Sequence, residues 1–119
     1  MKKILICEDE TGVQEFLSRS LTDRKYEVYI AVNGKEAIDK AKALTPDLIL
    51  LDIRMPKING LEAAKAIRKF DKSVKIIFIT GFQSPEISKE AAKYDICDYV
   101  TKNAPIQEII TAIDEALQH

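Results

Sequence analysis

The sequence predicts an α/β protein, a doubly wound (βα)5 chain in which five strands form one parallel sheet. Two observations predict this class. Short apolar runs of strand length, such as residues 48–51 (LILL) and 76–79 (IIFI), alternate with longer stretches in which apolar residues recur at the helical period. The alternation continues along all 119 residues without a linker, a repeat or a low-complexity segment. Strands that alternate with helices form a parallel sheet that is covered on both faces.

Each predicted strand is a short, mostly apolar run. The five runs are, in chain order, residues 3–7, 26–32, 47–52, 75–80 and 98–100. The first, third and fourth are almost continuously apolar, which is typical of central parallel strands buried on both faces. The second has a more polar start and alternates, with Tyr29 and Ala31 on one face and Val28, Ile30 and Val32 on the other. We therefore expect the second strand at an edge of the sheet.

The predicted helices carry an apolar stripe or a recognisable start. They are, in chain order, residues 12–24, a helix that ends near residue 44, and helices that begin near residues 60, 85 and 105. A turn at Asn33-Gly34 is expected before the second helix. For the fourth, Ser84 is the expected N-cap, with Pro85 at the first helical position and Glu86 in the first turn.

The composition limits the partners and the compartment of the protein. Apolar residues make up 46% and charged residues 31%, which is the ordinary globular mixture. A net charge of −1 points neither to nucleic acid nor to an anionic membrane as a partner. The apolar runs are too short to cross a bilayer, and the amino-terminal run ends in three acids without a cleavage site for a signal peptide. We therefore expect a cytoplasmic protein.

The number and positions of the cysteines and the histidine limit the chemistry that the chain can perform. Cys7 and Cys97 are far apart and have no CxxC spacing, so we expect buried, reduced thiols. The only histidine is His119, the last residue. Chemistry that needs an internal histidine is thereby excluded, whether as a general base, a zinc ligand or a phosphohistidine carrier.

Acidic and polar side chains follow the predicted strands at their carboxyl ends. Glu8 and Asp9 follow the first strand, Asp52 ends the third, Thr80 ends the fourth, and Lys102 follows the fifth. In doubly wound sheets the functional crevice lies outside the carboxyl ends of the strands, so these residues are expected to meet there.

This set of residue types indicates phosphoryl transfer. Clustered carboxylates raise one another's pKa or bind a hard cation, and Mg²⁺ prefers oxygen ligands. A lysine and a threonine can hold the oxygens of a phosphoryl group, for which charge neutralisation and positioning provide the catalysis. Each residue also has an ordinary explanation, since Asp9 or Glu10 could be an N-cap and Lys102 a solvated side chain. The combination, in strand order, favours the functional interpretation.

The segments CEDE, DLILLDIRMPKINGLEA, IIFITG and YVTK together resemble the receiver domain of two-component response regulators. The resemblance covers the whole chain. It implies a flavodoxin-like sheet with strand order 2-1-3-4-5, and a single receiver domain over residues 1–119 with no output domain in this chain. It implies a phosphorylation-activated switch rather than an enzyme, with slow self-catalysed phosphotransfer and dephosphorylation. In it, Asp52 accepts a phosphoryl group from a histidine kinase or a histidine phosphotransfer protein.

The resemblance also implies a metal site and the residues around it. Mg²⁺, with Mn²⁺ as an alternative, would be held by Asp9 directly, by Glu8 through water, by Asp52 and by the backbone carbonyl of Arg54. The side chains of Arg54 and Phe82 would flank the site and control the access of water to the phosphoryl group, unless they are ordinary loop side chains.

The remaining implied roles concern the phosphoryl group and the switch. Thr80 and Lys102 would bind phosphoryl oxygens. Tyr99 would be the switch aromatic that follows Thr80, and Gly81 would leave room for its ring. The change would reach the surface of the fourth helix, fifth strand and fifth helix, where a target, an output domain or a second copy would bind.

Three positions depart from the family pattern. Asn103 stands where proline is common, and because a cis bond before any other residue costs about 3–4 kcal/mol, we expect the Lys102–Asn103 bond to be trans. Such a bond could weaken the contact of Lys102 with the phosphoryl group. Asp95 replaces the usual glycine after the fourth helix and is expected in the left-handed conformation. Glu8 replaces an aspartate, so this metal ligand reaches further.

Three other functions fit the pattern less well. A magnesium-dependent phosphohydrolase with an aspartate nucleophile usually has a second aspartate two residues later, where this chain has Arg54, which cannot act as an acid at neutral pH. A receiver that binds partners without phosphorylation is favoured only by Asn103. A flavin or nucleotide binder would need a glycine-rich loop after the first strand, where CEDETG would repel phosphate.

Overall fold

The sheet and its helices have the predicted architecture. The structure, a computed structural model, describes residues 1–55, 57–81 and 85–118, without the side chains of residues 85–87. Its strands are β1 (Lys3–Cys7), β2 (Glu27–Ala31), β3 (Leu48–Asp52), β4 (Lys75–Thr80) and β5 (Asp98–Thr101). Its helices are α1 (Thr11–Asp23), α2 (Gly34–Leu44), α3 (Gly60–Arg68), α4 (Pro85–Lys93) and α5 (Ile106–Gln118). All strand pairs are parallel and the order is β2-β1-β3-β4-β5, which confirms the predicted flavodoxin-like fold.

Two apolar layers cover the two faces of the sheet. Leu5 and Cys7 of β1 point into the layer that is completed by α2 and α3, and Ile4 and Ile6 point into the layer completed by α1 and α5. β3 lies between β1 and β4 and is buried at every residue. The edge strand β2 is only partly buried along most of its length, as its alternating sequence predicts. Within the described ranges, no helix is long and apolar enough to cross a membrane.

Asparagine side chains begin the second and third helices. The side chain of Asn33 accepts a hydrogen bond from the backbone N–H of Glu36 at 2.9 Å and caps α2. The chain bends at Val32 and Asn33, and the turn predicted at Asn33-Gly34 leads directly into α2, because Asn33 is its N-cap and Gly34 is already helical. Asn59 caps α3 in the same way, and the backbone N–H of Asn59 donates a hydrogen bond to the side chain of Glu62 at 3.1 Å. The predicted cap at Ser84 lies outside the described residues.

Two glycines allow backbone segments to touch directly behind Asp52. A Cβ on Gly34 would lie 2.1 Å from the carbonyl oxygen of Ile58, and one on Gly60 would lie 2.4 Å from the carbonyl oxygen of Asp52. Neither distance is compatible with a side chain, and both nearest atoms are backbone. Gly34 therefore lets the start of α2 pack against the loop between β3 and α3, and Gly60 lets the start of α3 pack against the end of β3.

The turn after α4 has the predicted left-handed residue. Asp95 has φ 55°, and no peptide bond between described residues is cis, so the Lys102–Asn103 bond is trans as predicted. The Arg68 side chain, at the end of α3, fixes this turn. Its Nε donates to the carbonyl of Tyr94 at 2.8 Å and its Nη2 donates to the carbonyl of Asp95 at 3.0 Å.

The two thiols lie in different environments. Cys7 is buried, as predicted, and burial raises the pKa of its thiol. Cys97 is exposed, so its predicted burial is wrong. The reason is its position, since Cys97 precedes β5, which is an edge strand with solvent on its outer side.

We expect Gly34→Ala and Gly60→Ala to lower the free energy of unfolding by about 1–3 kcal/mol each, since the new methyl group must displace backbone. The matched control is Gly12→Ala, because a Cβ there meets nothing within 4 Å. Gly12 lies in α1, where alanine is favoured over glycine by up to about 1 kcal/mol. Urea unfolding measures all three. Equal stability of Gly34→Ala and Gly12→Ala would contradict the close approach.

Candidate functional site

The buried polar residues of the described chain lie at the carboxyl ends of central strands of the sheet. They are Glu8, Asp52 and Thr80, with exposures of 0%, 1% and 1%. Glu8 directly follows β1, Asp52 ends β3 and Thr80 ends β4. Because β1, β3 and β4 are neighbouring parallel strands, their carboxyl ends meet. Burying two acids is costly unless they are paired, so the carboxyl ends of these strands need a source of positive charge.

Lys102 supplies that charge. Its Nζ donates to Oε1 of Glu8 at 2.9 Å, to Oδ2 of Asp52 at 3.0 Å and to Oε1 of Glu10 at 3.0 Å. The backbone N–H of Lys102 donates to the carbonyl of Thr80 at 2.7 Å, which fixes the chain just beyond β5. An ammonium has three hydrogens, so each carboxylate takes one.

The pKa values reflect this shared charge. Burial raises the pKa of Glu8 to about 7; the hydrogen bond from Lys102 lowers it, and the neighbouring Asp52 raises it. Burial acts to lower the pKa of Lys102, but its hydrogen bonds to Glu8, Asp52 and Glu10 outweigh that effect and the pKa is raised. One ammonium therefore faces three carboxylates, and the site remains short of positive charge.

The donor set fits a hard divalent cation. Oε2 of Glu8 is buried and has no hydrogen-bond partner among the described residues. Carboxylate oxygens of Glu8, Asp9 and Glu10 lie within 4.8 Å of one another. Carboxylate oxygens are the ligands that Mg²⁺ prefers, and a second positive charge would satisfy the unpartnered Glu8 oxygen.

The other residues predicted for the site differ in how closely they approach this cluster. The backbone N–H of Arg54 donates to Oδ1 of Asp52 at 3.1 Å, while the Arg54 side chain is exposed. Tyr99 lies opposite Phe78 in the register of β5 and β4, and its hydroxyl accepts a bond from Ser88 of α4 at 2.9 Å. Gly81 is exposed, and a Cβ there would meet no atom of the described residues within 4 Å. Phe82 lies outside the described residues.

Sequence reasoning missed two contacts of the site. Glu10 lies just beyond the acids that follow β1 and occupies the N-cap position of α1, but its side chain caps nothing and binds Lys102 instead. Gln14 was not singled out, yet its Nε2 donates to the carbonyl of Glu8 at 2.5 Å. A signal was available, because Gln14 follows Glu10 by one helical turn and so faces the same end of β1.

We expect Lys102→Met to destabilise the protein by roughly 3 kcal/mol, because it leaves the buried Glu8 and Asp52 without a counter-charge. Mg²⁺ should then stabilise the variant more than the native chain, since the ion no longer competes with an ammonium. Urea unfolding with and without Mg²⁺ measures both effects.

The matched control is Lys35→Met, which removes an exposed lysine paired with Asp39 at 3.0 Å. It should change neither stability nor the response to Mg²⁺ appreciably. If the two variants behaved alike, Lys102 would not be the counter-charge of the site.

Comparison with known proteins assigns the chain to a family. The family model described as response regulator receiver domain matches residues 4–114. Chemotaxis protein CheY of Thermotoga maritima is 34% identical over 115 residues, covering 96% of this chain and 96% of that protein. Response regulator ArlR of Staphylococcus saprophyticus is 37% identical over 118 residues, covering 99% of this chain and 53% of that protein.

A solved structure gives the same result. The crystal structure of response regulator protein TrrA from Thermotoga maritima, in complex with Mg²⁺ and BeF, has a TM-score of 0.88 and 36% identity. The match covers 98% of this chain and 99% of that chain. The chain spans about half the length of the curated relatives ArlR and LnrK and about a quarter of that of AtoC, whereas it spans nearly all of CheY.

Proposed function

Since the chain belongs to the response regulator receiver family, whose domains support phosphorylation-dependent signalling, we propose that Asp52 accepts a phosphoryl group from a phosphohistidine. The donor is a sensor histidine kinase or a histidine phosphotransfer protein. One observation carries the proposal: Asp52 is 1% exposed, yet Lys102 and the Arg54 backbone hold its two carboxylate oxygens at 3.0 and 3.1 Å. Because both of its oxygens are held, the buried Asp52 carboxylate has a fixed orientation, which suits it to attack phosphorus from one direction.

The step is a phosphoryl transfer. A carboxylate oxygen of Asp52 forms the new bond to phosphorus, the bond from phosphorus to the donor imidazole nitrogen breaks, and the imidazole leaves with the electron pair. Glu8, Asp9, Asp52 and the backbone carbonyl of Arg54 would hold Mg²⁺ or Mn²⁺. The ion would neutralise charge on the phosphoryl oxygens when bound. The unpartnered Glu8 oxygen supports this assignment.

Lys102 and Thr80 would bind the incoming group. A phosphoryl group adds a charge of about −1.5 to −2 and three acceptor oxygens. Lys102 already points at Asp52, and Thr80 is joined to Lys102 through the backbone bond at 2.7 Å. A change in the position of either residue is therefore transmitted to the other. We propose that both turn toward the phosphoryl oxygens.

The switch surface would be made by α4, β5 and α5. The hydroxyl of Tyr99 contacts α4 through Ser88, and no atom of the described residues lies within 4 Å of where a Cβ of Gly81 would be. We propose that Tyr99 follows Thr80 and so alters this surface. A groove of about 460 Å³ lies between β5 and α5, and its lining includes Asp98, Glu108 and Glu115. A target, an output domain or a second copy of the chain would bind there.

The chain would be a regulator rather than an enzyme. Its turnover would be limited to slow self-catalysed phosphotransfer and dephosphorylation, with Arg54 and Phe82 controlling the access of water. The exposed Arg54 side chain agrees with such a position at the mouth of the site. We place the reaction in the cytoplasm, where ATP-dependent kinases form phosphohistidine.

The direct test is the intact mass after incubation with acetyl phosphate and Mg²⁺. The native chain should gain one phosphoryl group and Asp52→Asn none, since the amide cannot form the acyl phosphate. A matched control is Asp39→Asn, which removes an exposed acid of α2 and should label like the native chain. If the native chain neither gained mass nor bound fluoroberyllate, Asp52 would not be the acceptor.

A second test separates labelling from signalling. Thr80→Val should still be phosphorylated at Asp52, because the acceptor is unchanged, but should lose the response of α4 and β5. Backbone hydrogen exchange with and without fluoroberyllate measures that response. The native chain should change its exchange rates in both elements. A full response in Thr80→Val would show that Thr80 does not couple the site to the surface.

A further inference from the structure

Glu10 gives Lys102 a carboxylate partner that the proposed reaction does not use. The distance from Nζ of Lys102 to Oε1 of Glu10 is 3.0 Å, the same as to Asp52. The Glu10 side chain is 62% exposed, whereas Glu8 and Asp52 are almost completely buried. Glu10 therefore approaches the ammonium from the solvent side of the cluster, which is open to an incoming donor.

The contact is not a by-product of helix capping. Glu10 is the N-cap residue of α1, but its side chain accepts no bond from the first turn. The helix start is held by backbone instead, since the carbonyl of Glu10 accepts from the N–H of Gln14 at 3.0 Å. The backbone N–H of Glu10 in turn donates to Oε1 of Glu8 at 3.2 Å. The carboxylate of Glu10 can be changed while these bonds remain.

A phosphoryl group on Asp52 needs a hydrogen of Lys102 that is already in use. The ammonium has three hydrogens, and Glu8, Asp52 and Glu10 take one each. For Lys102 to bind a phosphoryl oxygen, one of these bonds must break.

We propose that Glu10 is a positioning residue that competes with the phosphoryl group for the Lys102 ammonium and so slows the entry of phosphoryl groups at Asp52. The inference rests on the proposed function of Asp52. Glu10 acts through Lys102 and does not take part in the bond changes. Its effect is modest, because an exposed ion pair contributes little free energy.

The test is the initial rate of mass gain with acetyl phosphate at saturating Mg²⁺. Glu10→Gln, which keeps the length of the side chain, should raise this rate about two- to fivefold, the range expected when an exposed ion pair is removed. The matched control is Glu15→Gln, an exposed acid in α1 with no ion pair among the described residues, which should leave the rate unchanged. An unchanged rate in Glu10→Gln would overturn the proposal.

A double-mutant comparison shows whether Glu10 acts through Lys102. In a Lys102→Met background, Asp52 should be phosphorylated more slowly than in the native chain. Adding Glu10→Gln to this background should no longer raise the rate of phosphorylation. The same rise in both backgrounds would mean that Glu10 only repels the donor, which also overturns the proposal. The Mg²⁺ affinity provides a second readout. Glu10→Gln should bind Mg²⁺ no tighter than the native chain while it labels faster, whereas a disturbed fold would impair both.

Failure of the inference can be distinguished from failure of the proposed function. If the native chain is labelled at Asp52 and Glu10→Gln is labelled at the same rate, Asp52 remains the acceptor and the inference is wrong. If no variant is labelled and none binds fluoroberyllate, the proposed function is wrong, and the role of Glu10 is overturned with it.

Discussion

The site depends on one buried ion cluster, in which the ammonium of Lys102 is shared by acids from two neighbouring strands. Glu8 follows β1 and Asp52 ends β3, and neither could be buried beside the other without a counter-charge. The cluster is not neutral, because one ammonium faces the carboxylates of both Glu8 and Asp52, and Glu10 adds a third. A site that holds excess negative charge in a buried position binds cations well and changes its charge balance when a phosphoryl group arrives.

The fold could be predicted because the central strands β1, β3 and β4 are short apolar runs that end at or just before a polar residue. β4 was predicted over residues 75–80 and spans Lys75–Thr80, since Thr80 and Gly81 end an apolar run. Asn33 is favoured both in turns and at N-caps, so the turn before α2 could be predicted but the capping role of Asn33 could not. One local prediction was wrong for a physical reason. Cys97 is apolar in character, but its position beside an edge strand leaves it in solvent.

The composition of the site could be predicted to a similar extent, but its contacts could not. The carboxyl ends of parallel strands lie together, so strand order alone brings Glu8, Asp52 and Thr80 to one edge. The contact between Glu10 and Lys102 joins residues 92 positions apart and depends on side-chain reach. Sequence spacing carries no information about such a pair. The packing of Gly34 against Ile58 has the same character, since it joins the start of α2 to the loop before α3 through the absence of a side chain.

The clamp formed by Arg68 decides how α4 can move. Arg68 ends α3, and its guanidinium binds the carbonyls of Tyr94 and Asp95 just after the last turn of α4. The first turn of α4 follows the end of β4, where Thr80 lies. Under the proposed switch, a displacement that starts at Thr80 would act on a helix that is held at its far end. The first turn of α4 would then move most and the end beside Arg68 least, so a partner that binds the first turn would sense the switch most strongly.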